Sequence, residues 1–234
     1  VVVDDASSVA AAQALEEVDA IRRRVVNVVG HALRTPVTTL CGMAESLARA
    51  QDDATRAALA DGVVRNARLV ERLLDQLLMA AGVSTVLPVG DTAVLDVEAA
   101  ARRAWADVSG AGTLDVQGAA SVVARPVALD QILLLVLDNA AKYTSGDVVV
   151  QLASVAGRTT IDVETHGADP SDEEVAQAFE LFYRGEHAVM SAAGIGIGLP
   201  VARQLARLED GDVTLFRRAD GIVTRIELPS PPSA

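Results

Sequence analysis

Apolar residues recur at helical spacing from about Ala6 to Ala50, a pattern broken only by Pro36. Val26, Val29, Leu33, Pro36, Leu40, Met43, Leu47 and Ala50 follow one another in alternating steps of three and four. That is a heptad seam, with Val26, Leu33, Leu40 and Leu47 at one core position. The polar run Gln51-Asp52-Asp53 turns the chain, and a second helix is predicted over Ala54–Ala81, ended by Gly82, Ser84 and Pro88. Two long helices joined by a short turn make an antiparallel hairpin. The second helix has a seam at Val63, Ala67, Val70, Leu74, Leu77 and Ala81, with Val64, Leu69, Leu73 and Leu78 beside it. This face is wider than one hairpin covers. Two hairpins pairing as a four-helix bundle would bury it, which predicts a homodimer; packing on the C-terminal half is the alternative.

After Pro88 the pattern changes. Ala93–Val108 reads as a helix, Thr113–Gln117 and Ser121–Ala124 as short strands, and Ala128–Lys142 as a strongly apolar helix. Asp147–Ala153 and Thr159–Glu164 read as strands around a Gly157-Arg158 turn. Ser171–Phe182 is predicted helical, with Ser171 and Glu174 forming a capping box. Gly194–Glu209 opens on glycines and continues as a helix; Asp212–Arg217 and Ile222–Leu228 form a hairpin through Asp220-Gly221. The expected fold is an all-α hairpin followed by an α/β sandwich with helices on one sheet face.

Composition narrows the function classes. With 50% hydrophobic and 22% charged residues, the chain is globular. Its net charge, 20 − 32 = −12, argues against nucleic-acid binding and against membrane contact through a basic face. Aromatics are only 3%, so Ala, Val and Leu must fill the core. The lone Cys41 excludes an internal disulfide. No apolar run reaches membrane-spanning length, so a cytoplasmic location is expected. The start at Val1, without an initiator Met, suggests a piece of a longer protein, and Pro229–Ala234 reads as a frayed tail.

Three constellations could carry chemistry. His31 shares a heptad row with Arg24, Thr38 and Glu45, so it faces outward; it is a candidate nucleophile or a solvated surface residue. Five positions on, Pro36 sits inside the helix, where proline costs ~3 kcal/mol and removes a hydrogen bond. Lys142 is the only lysine in the chain; its ammonium suits phosphate oxygens, and Asn139 offers a hard oxygen for Mg²⁺. An ordinary helix C-terminus is the plainer reading of that pair. Gly194-Ile195-Gly196-Ile197-Gly198-Leu199 opens a helix, where backbone N–H groups can approach phosphate. It is no Rossmann fingerprint, since no strand leads directly into it.

HALRTP (31–36), DNAAKYT (138–144), FELFYRG (179–185) and GIGIGL (194–199), in this order, resemble a bacterial sensor histidine kinase of two-component systems. The resemblance implies a connecting helix over 1–23 from an upstream sensory module and a dimerisation and phosphotransfer hairpin over 24–86. A Bergerat-type ATP-binding domain over 87–230 and a disordered tail over 231–234 would follow. It implies a protein-histidine kinase using ATP and Mg²⁺. His31 would accept the γ-phosphoryl group and pass it to an Asp of a response regulator receiver domain. Pro36 would bend the helix, and Thr35 would support dephosphorylation of the receiver. Asn139 would help hold Mg²⁺, with Lys142 and Tyr143 near the nucleotide. Phe179, Phe182, Tyr183 and Arg184 would flank a lid over Glu186–Ala193, and Gly194, Gly196 and Gly198, with Leu199 behind them, would cradle the phosphates. The full-length protein could be attached to a membrane.

The chain also departs from the family pattern. The usual acidic residue after the phosphoacceptor is Ala32, which should slow attack by ~10²–10⁴ if that carboxylate acts as general base. The Asp-x-Gly-x-Gly box is aligned with Glu164-Thr165-His166-Gly167-Ala168, so that Glu164 takes the adenine-binding carboxylate while His166 and Ala168 replace glycines. Leu135 replaces an earlier Asn of the asparagine box. The alternative reading is a pseudokinase, a dimeric scaffold that binds a receiver or another kinase with weak or no ATP turnover.

Overall fold

The computed structural model describes residues 29–30, 33–80, 90–108, 112–144, 146–167, 169–185, 195–219 and 221–232. His31, Ala32, Ala168 and Gly194 lie outside them, as do the predicted connecting helix before residue 24, the lid and the last two residues of the tail. The chain divides into two compact units between Leu74 and Asp75, whereas the domain boundary expected from sequence is at 86/87, among residues outside those described.

The first unit is helical. Helix α1 covers residues 33–49 and α2 runs Asp53–Ala80, continuing into the second unit. Asp52 makes the turn between them by accepting from the Thr55 amide at 2.7 Å, which also lowers the Asp52 pKa. Arg56 closes the other side, reaching the Ala50 carbonyl at 3.1 Å. The seam of α1 follows the expected register: Leu33, Leu40, Met43 and Leu47 are half-buried and Pro36 is buried, while Thr38 and Glu45 are exposed.

The seam of α2 follows expectation at Val63, Val70 and Leu77, which are half-buried, and departs from it at two positions. Ala67 and Leu74 are exposed, and Gly62 is buried in their stead. A methyl at Gly62 would stand 2.7 Å from the Met43 sulfur, so the Met43 side chain occupies the space that a side chain at 62 would need. Asn66 bridges the same place, donating to Met43 Sδ at 3.8 Å and to the Gly62 carbonyl at 3.0 Å. Val64 and Leu74 stay 48% and 50% exposed on the outer face of α2.

The second unit is built on a five-stranded sheet. In chain order its elements are β1 (Ala93–Asp96), α3 (Val97–Ala106), β2 (Leu114–Gln117), β3 (Ser121–Ala124), α4 (Pro126–Tyr143), β4 (Val148–Val155), β5 (Arg158–His166), α5 (Asp172–Gln177), α6 (Gly198–Leu208), β6 (Asp212–Arg218) and β7 (Gly221–Pro229). The sheet order is β2-β4-β5-β7-β6, antiparallel except for β2 with β4, and β1 pairs with β3 apart from it.

One face of the sheet carries the helices. Val148, Val150, Ile161, Val163, Val213, Ile226 and Leu228 form one core with Ala100 and Ala104 of α3, Leu129, Leu133 and Val136 of α4, and Val201 and Leu205 of α6. The other face is polar. Asp162 takes both guanidinium nitrogens of Arg225 at 2.7 Å, Arg225 lies 5.1 Å from the Phe216 ring, and Arg218 pairs with Glu164.

Expectation and structure differ at element ends. Ala93–Asp96 is a strand because it pairs with β3; Asp96 then caps α3 through the Ala99 amide at 3.0 Å. The Ser171–Glu174 capping box is present, but its helix stops at Gln177 rather than Phe182. Helix α6 starts at Gly198, since Gly196 has φ +75°. Pro126 opens α4, a position that needs no N–H. Behind it the buried Glu209 accepts from the Arg125 amide at 2.9 Å and from its guanidinium at 2.5 Å, tying the start of α4 to the end of α6. Among the described residues, no helix is long and apolar enough to cross a membrane.

Candidate functional site

Three segments far apart in sequence meet at the N-terminus of α6. Ile195, Ile197 and Leu199 are buried between the glycines and anchor this stretch in the core. The Gly196 carbonyl accepts from the Phe182 amide at 2.8 Å. A methyl at Gly196 would lie 2.3 Å from the Tyr183 carbonyl, so a side chain is excluded there. Phe182 itself has φ +66°. Gly198 lies over α4, its missing Cβ position 4.0 Å from Leu135. Leu135 is buried in the core, so it packs beneath the glycines and ligates nothing. The cap residue of α6, Ile197, has no side-chain cap bond. Backbone N–H groups at such an end form an anion site, which is the chemistry expected of Gly196 and Gly198.

The C-terminal turn of α4 supplies the polar side chains. Asn139 and Tyr143 are half-buried, and Lys142 is held by Asp138 one turn earlier at 2.5 Å. Burial pushes the Tyr143 phenol up, opposed by the Arg184 charge and helped by that of Asp138. Among the described residues no three His, Cys, Asp or Glu side chains cluster as a metal cage. The amide oxygen of Asn139 fits Mg²⁺ held chiefly by phosphate oxygens and water, the usual manner for this ion.

The structure moves one expected residue out of this group. Side chains alternate across a strand, and Ile161 and Val163 face the helical core. Glu164 therefore faces the opposite side of the sheet, where it pairs with Arg218. The residue turned toward the helices is Thr165, buried at 5% exposure. Gly167 has φ +84°, a backbone conformation that favours glycine. Both observations shift the box by one: Thr165 stands in the acidic position, Gly167 in that of the first glycine and Asp169 in that of the second. Asp169 is engaged by Arg217 at 2.5 Å. His166 is then the residue between the acidic position and the first glycine, and it replaces neither. Strand parity from Ile161 and Val163 was the signal for this register.

Phe179 is fixed from α6, with the Arg203 guanidinium 4.7 Å from its ring and the same guanidinium bound to Asp212 at 2.8 and 3.1 Å. On α1, Thr35 is exposed and Pro36 buried. The Thr39 hydroxyl donates to the Thr35 carbonyl at 3.0 Å, a back-bond that bends helices, beside a proline that has already removed one rung.

Residues 124–233 match the family described as Histidine kinase-, DNA gyrase B-, and HSP90-like ATPase, and residues 21–81 match the His Kinase A (phospho-acceptor) domain. The chain is 28% identical to the signal transduction histidine-protein kinase AfsQ2 of Streptomyces coelicolor, over 90% of this chain and 42% of that one. It is 30% identical to the sensor protein CreC of Escherichia coli over 82% of this chain and 42% of that one, and 24% identical to the sensor protein ChvG of Agrobacterium fabrum over 90% and 37%. The chain thus spans well under half of these relatives. In fold it is similar to the Acinetobacter baumannii histidine kinase AdeS (TM-score 0.56, 19% identity, 86% of this chain and 98% of that one). It is likewise similar to ShkA, solved in complex with AMPPNP (TM-score 0.58, 21% identity, 91% and 46%).

Proposed function

The chain belongs to the sensor histidine kinases, and on that premise we propose that it binds Mg·ATP in its second unit and phosphorylates itself on His31. The observation that carries this reading is the junction of Gly196 with Phe182 and of Gly198 with Leu135. It gathers a glycine-lined helix N-terminus, the Asn139–Lys142 turn and the aromatic segment around one place, an arrangement suited to a nucleotide polyphosphate. Mg²⁺, when bound, neutralises charge on the transferring phosphoryl group. Asn139 would hold it through its amide oxygen, and the α6 amides, with Lys142 once exchanged from Asp138, would meet the phosphate oxygens. Gly194, outside the described residues, is the remaining glycine of that motif, and Leu199 is buried behind Gly198.

The outward ring nitrogen of His31 forms the new bond to phosphorus, ADP leaves with the electrons of the broken one, and the ring proton passes to solvent. Ala32 supplies no carboxylate to take it. The phosphohistidine then donates its phosphoryl group to an Asp of a response regulator, with Thr35 serving the reverse, dephosphorylating chemistry and Pro36 giving the hairpin its bend. Two hairpins pair through the exposed stripe of α2, and an upstream sensory module drives the 24–86 region. The site works in the cytoplasm, where ATP is available.

Calorimetric titration with ATP and an uncleavable analogue, with and without Mg²⁺, tests the nucleotide site. Micromolar binding that needs Mg²⁺ and disappears in Asn139→Ala supports the reading; no heat up to millimolar nucleotide would sink it.

A further inference from the structure

We propose that Thr165 makes the base end of this site permissive, so that it takes guanosine as well as adenosine triphosphate. The inference rests on the nucleotide-site reading above and adds to it the choice of base. If the phosphates lie at the α6 N-terminus and the end of α4, the base must extend away from both, over the ends of the central strands. There the sheet presents one row of side chains toward the helices. Thr165 of β5 stands opposite Ile222 of β7, which stands opposite Arg217 of β6. Directly paired residues share a face. The charge of Arg217 is taken up by Asp169 at 2.5 Å and Asp172 at 3.2 Å, so the row offers the base one hydroxyl, one hydrocarbon side chain and no carboxylate of its own. The strand pair also holds Thr165 rigidly: Gly221 approaches so closely that a methyl there would lie 2.1 Å from the Thr165 carbonyl.

The polarity of that hydroxyl decides what is recognised. A carboxylate only accepts hydrogen bonds, so it welcomes an exocyclic amine and repels a carbonyl oxygen. A hydroxyl has one donor and two lone pairs and rotates to suit. It accepts from the 6-amino group of adenine, and it donates to the 6-oxo group of guanine. Glu164, the nearest carboxylate along the strand, is turned to the other face and neutralised by Arg218, so it restores no discrimination.

The test is competition calorimetry of the whole chain with uncleavable ATP and GTP analogues in Mg²⁺, for the wild type, Thr165→Asp and Thr165→Val. The wild type should bind the two within about tenfold of each other. Thr165→Asp should open a preference for ATP of roughly a hundredfold or more, the scale on which a mismatched buried polar group rejects a ligand. Thr165→Val, nearly the same shape without the hydroxyl, should weaken both and serves as the control if the Asp variant fails to fold. ATP binding without GTP binding in the wild type overturns this inference and leaves the nucleotide site intact. Equal binding that neither variant alters overturns the role of Thr165. Failure of both nucleotides overturns the site itself, and the inference with it.

Discussion

The amide of Phe182 donates to the carbonyl of Gly196 at 2.8 Å, and the two residues lock each other in left-handed backbone conformations, φ +66° and +75°. This contact sets the mouth of the site, because it fixes both the aromatic segment and the approach to α6. Gly196→Ala must strain the backbone and press a methyl onto the Tyr183 carbonyl. We expect a loss of about 1–3 kcal/mol in stability, the range for such strained positions, with nucleotide affinity falling further than that of Gly198→Ala, whose neighbour is only a leucine methyl. Chemical denaturation and calorimetry on the two variants check this.

Glu209 joins the start of α4 to the end of α6, at the ends of both helices away from the site. Its carboxylate is buried and accepts from both the Arg125 backbone and side chain. Arg125→Ala leaves that charge partly unpaired, and breaking such a pair costs about 3 kcal/mol or more. Glu209→Gln, which keeps the backbone bond, should cost less. Urea unfolding of the pair of variants would reveal the ordering.

Asp212 makes a pH-dependent contribution. Hydrogen bonds from Arg203 hold its pKa at about 2, below the usual aspartate range. Because the folded value is the lower one, the stabilisation is complete above pH ~4 and is lost as the pH falls through 2. Discounted for partial exposure, it is about 1 kcal/mol. Asp212→Asn should therefore be less stable than the wild type at pH 7, with the gap closing near pH 2, as followed by thermal melts across pH.

The outer stripe of α2 bears on assembly. Leu74 is half exposed, so Leu74→Glu should cost little within the chain. It should convert dimers to monomers in sedimentation velocity; a dimer that persists places the interface elsewhere.

Local signals were legible in the sequence and pairings across the chain were not. The Ser171–Glu174 capping box and the α1 seam stand where three- and four-residue spacing places them. Ala93–Asp96 reads as helix because its reason for being a strand, β3, lies some two dozen residues on. The α2 seam holds at Val63, Val70 and Leu77 but misses Gly62, because the pattern counts apolar side chains while the contact with Met43 depends on Gly62 having none. At the site, Phe182, Gly196 and Gly198 came together as their motifs suggest. Charge alone points to Glu164, although the alternation of Ile161 and Val163 assigns the inward position to Thr165.

Phosphorylation of His31 is tested directly by one labelling experiment. The chain is incubated with γ-labelled ATP and Mg²⁺, and the product is tested for stability in acid and base, beside His31→Gln. The account predicts label that is lost in acid, kept in base and absent from the variant. No label on the wild type, or label that survives in His31→Gln, would contradict it.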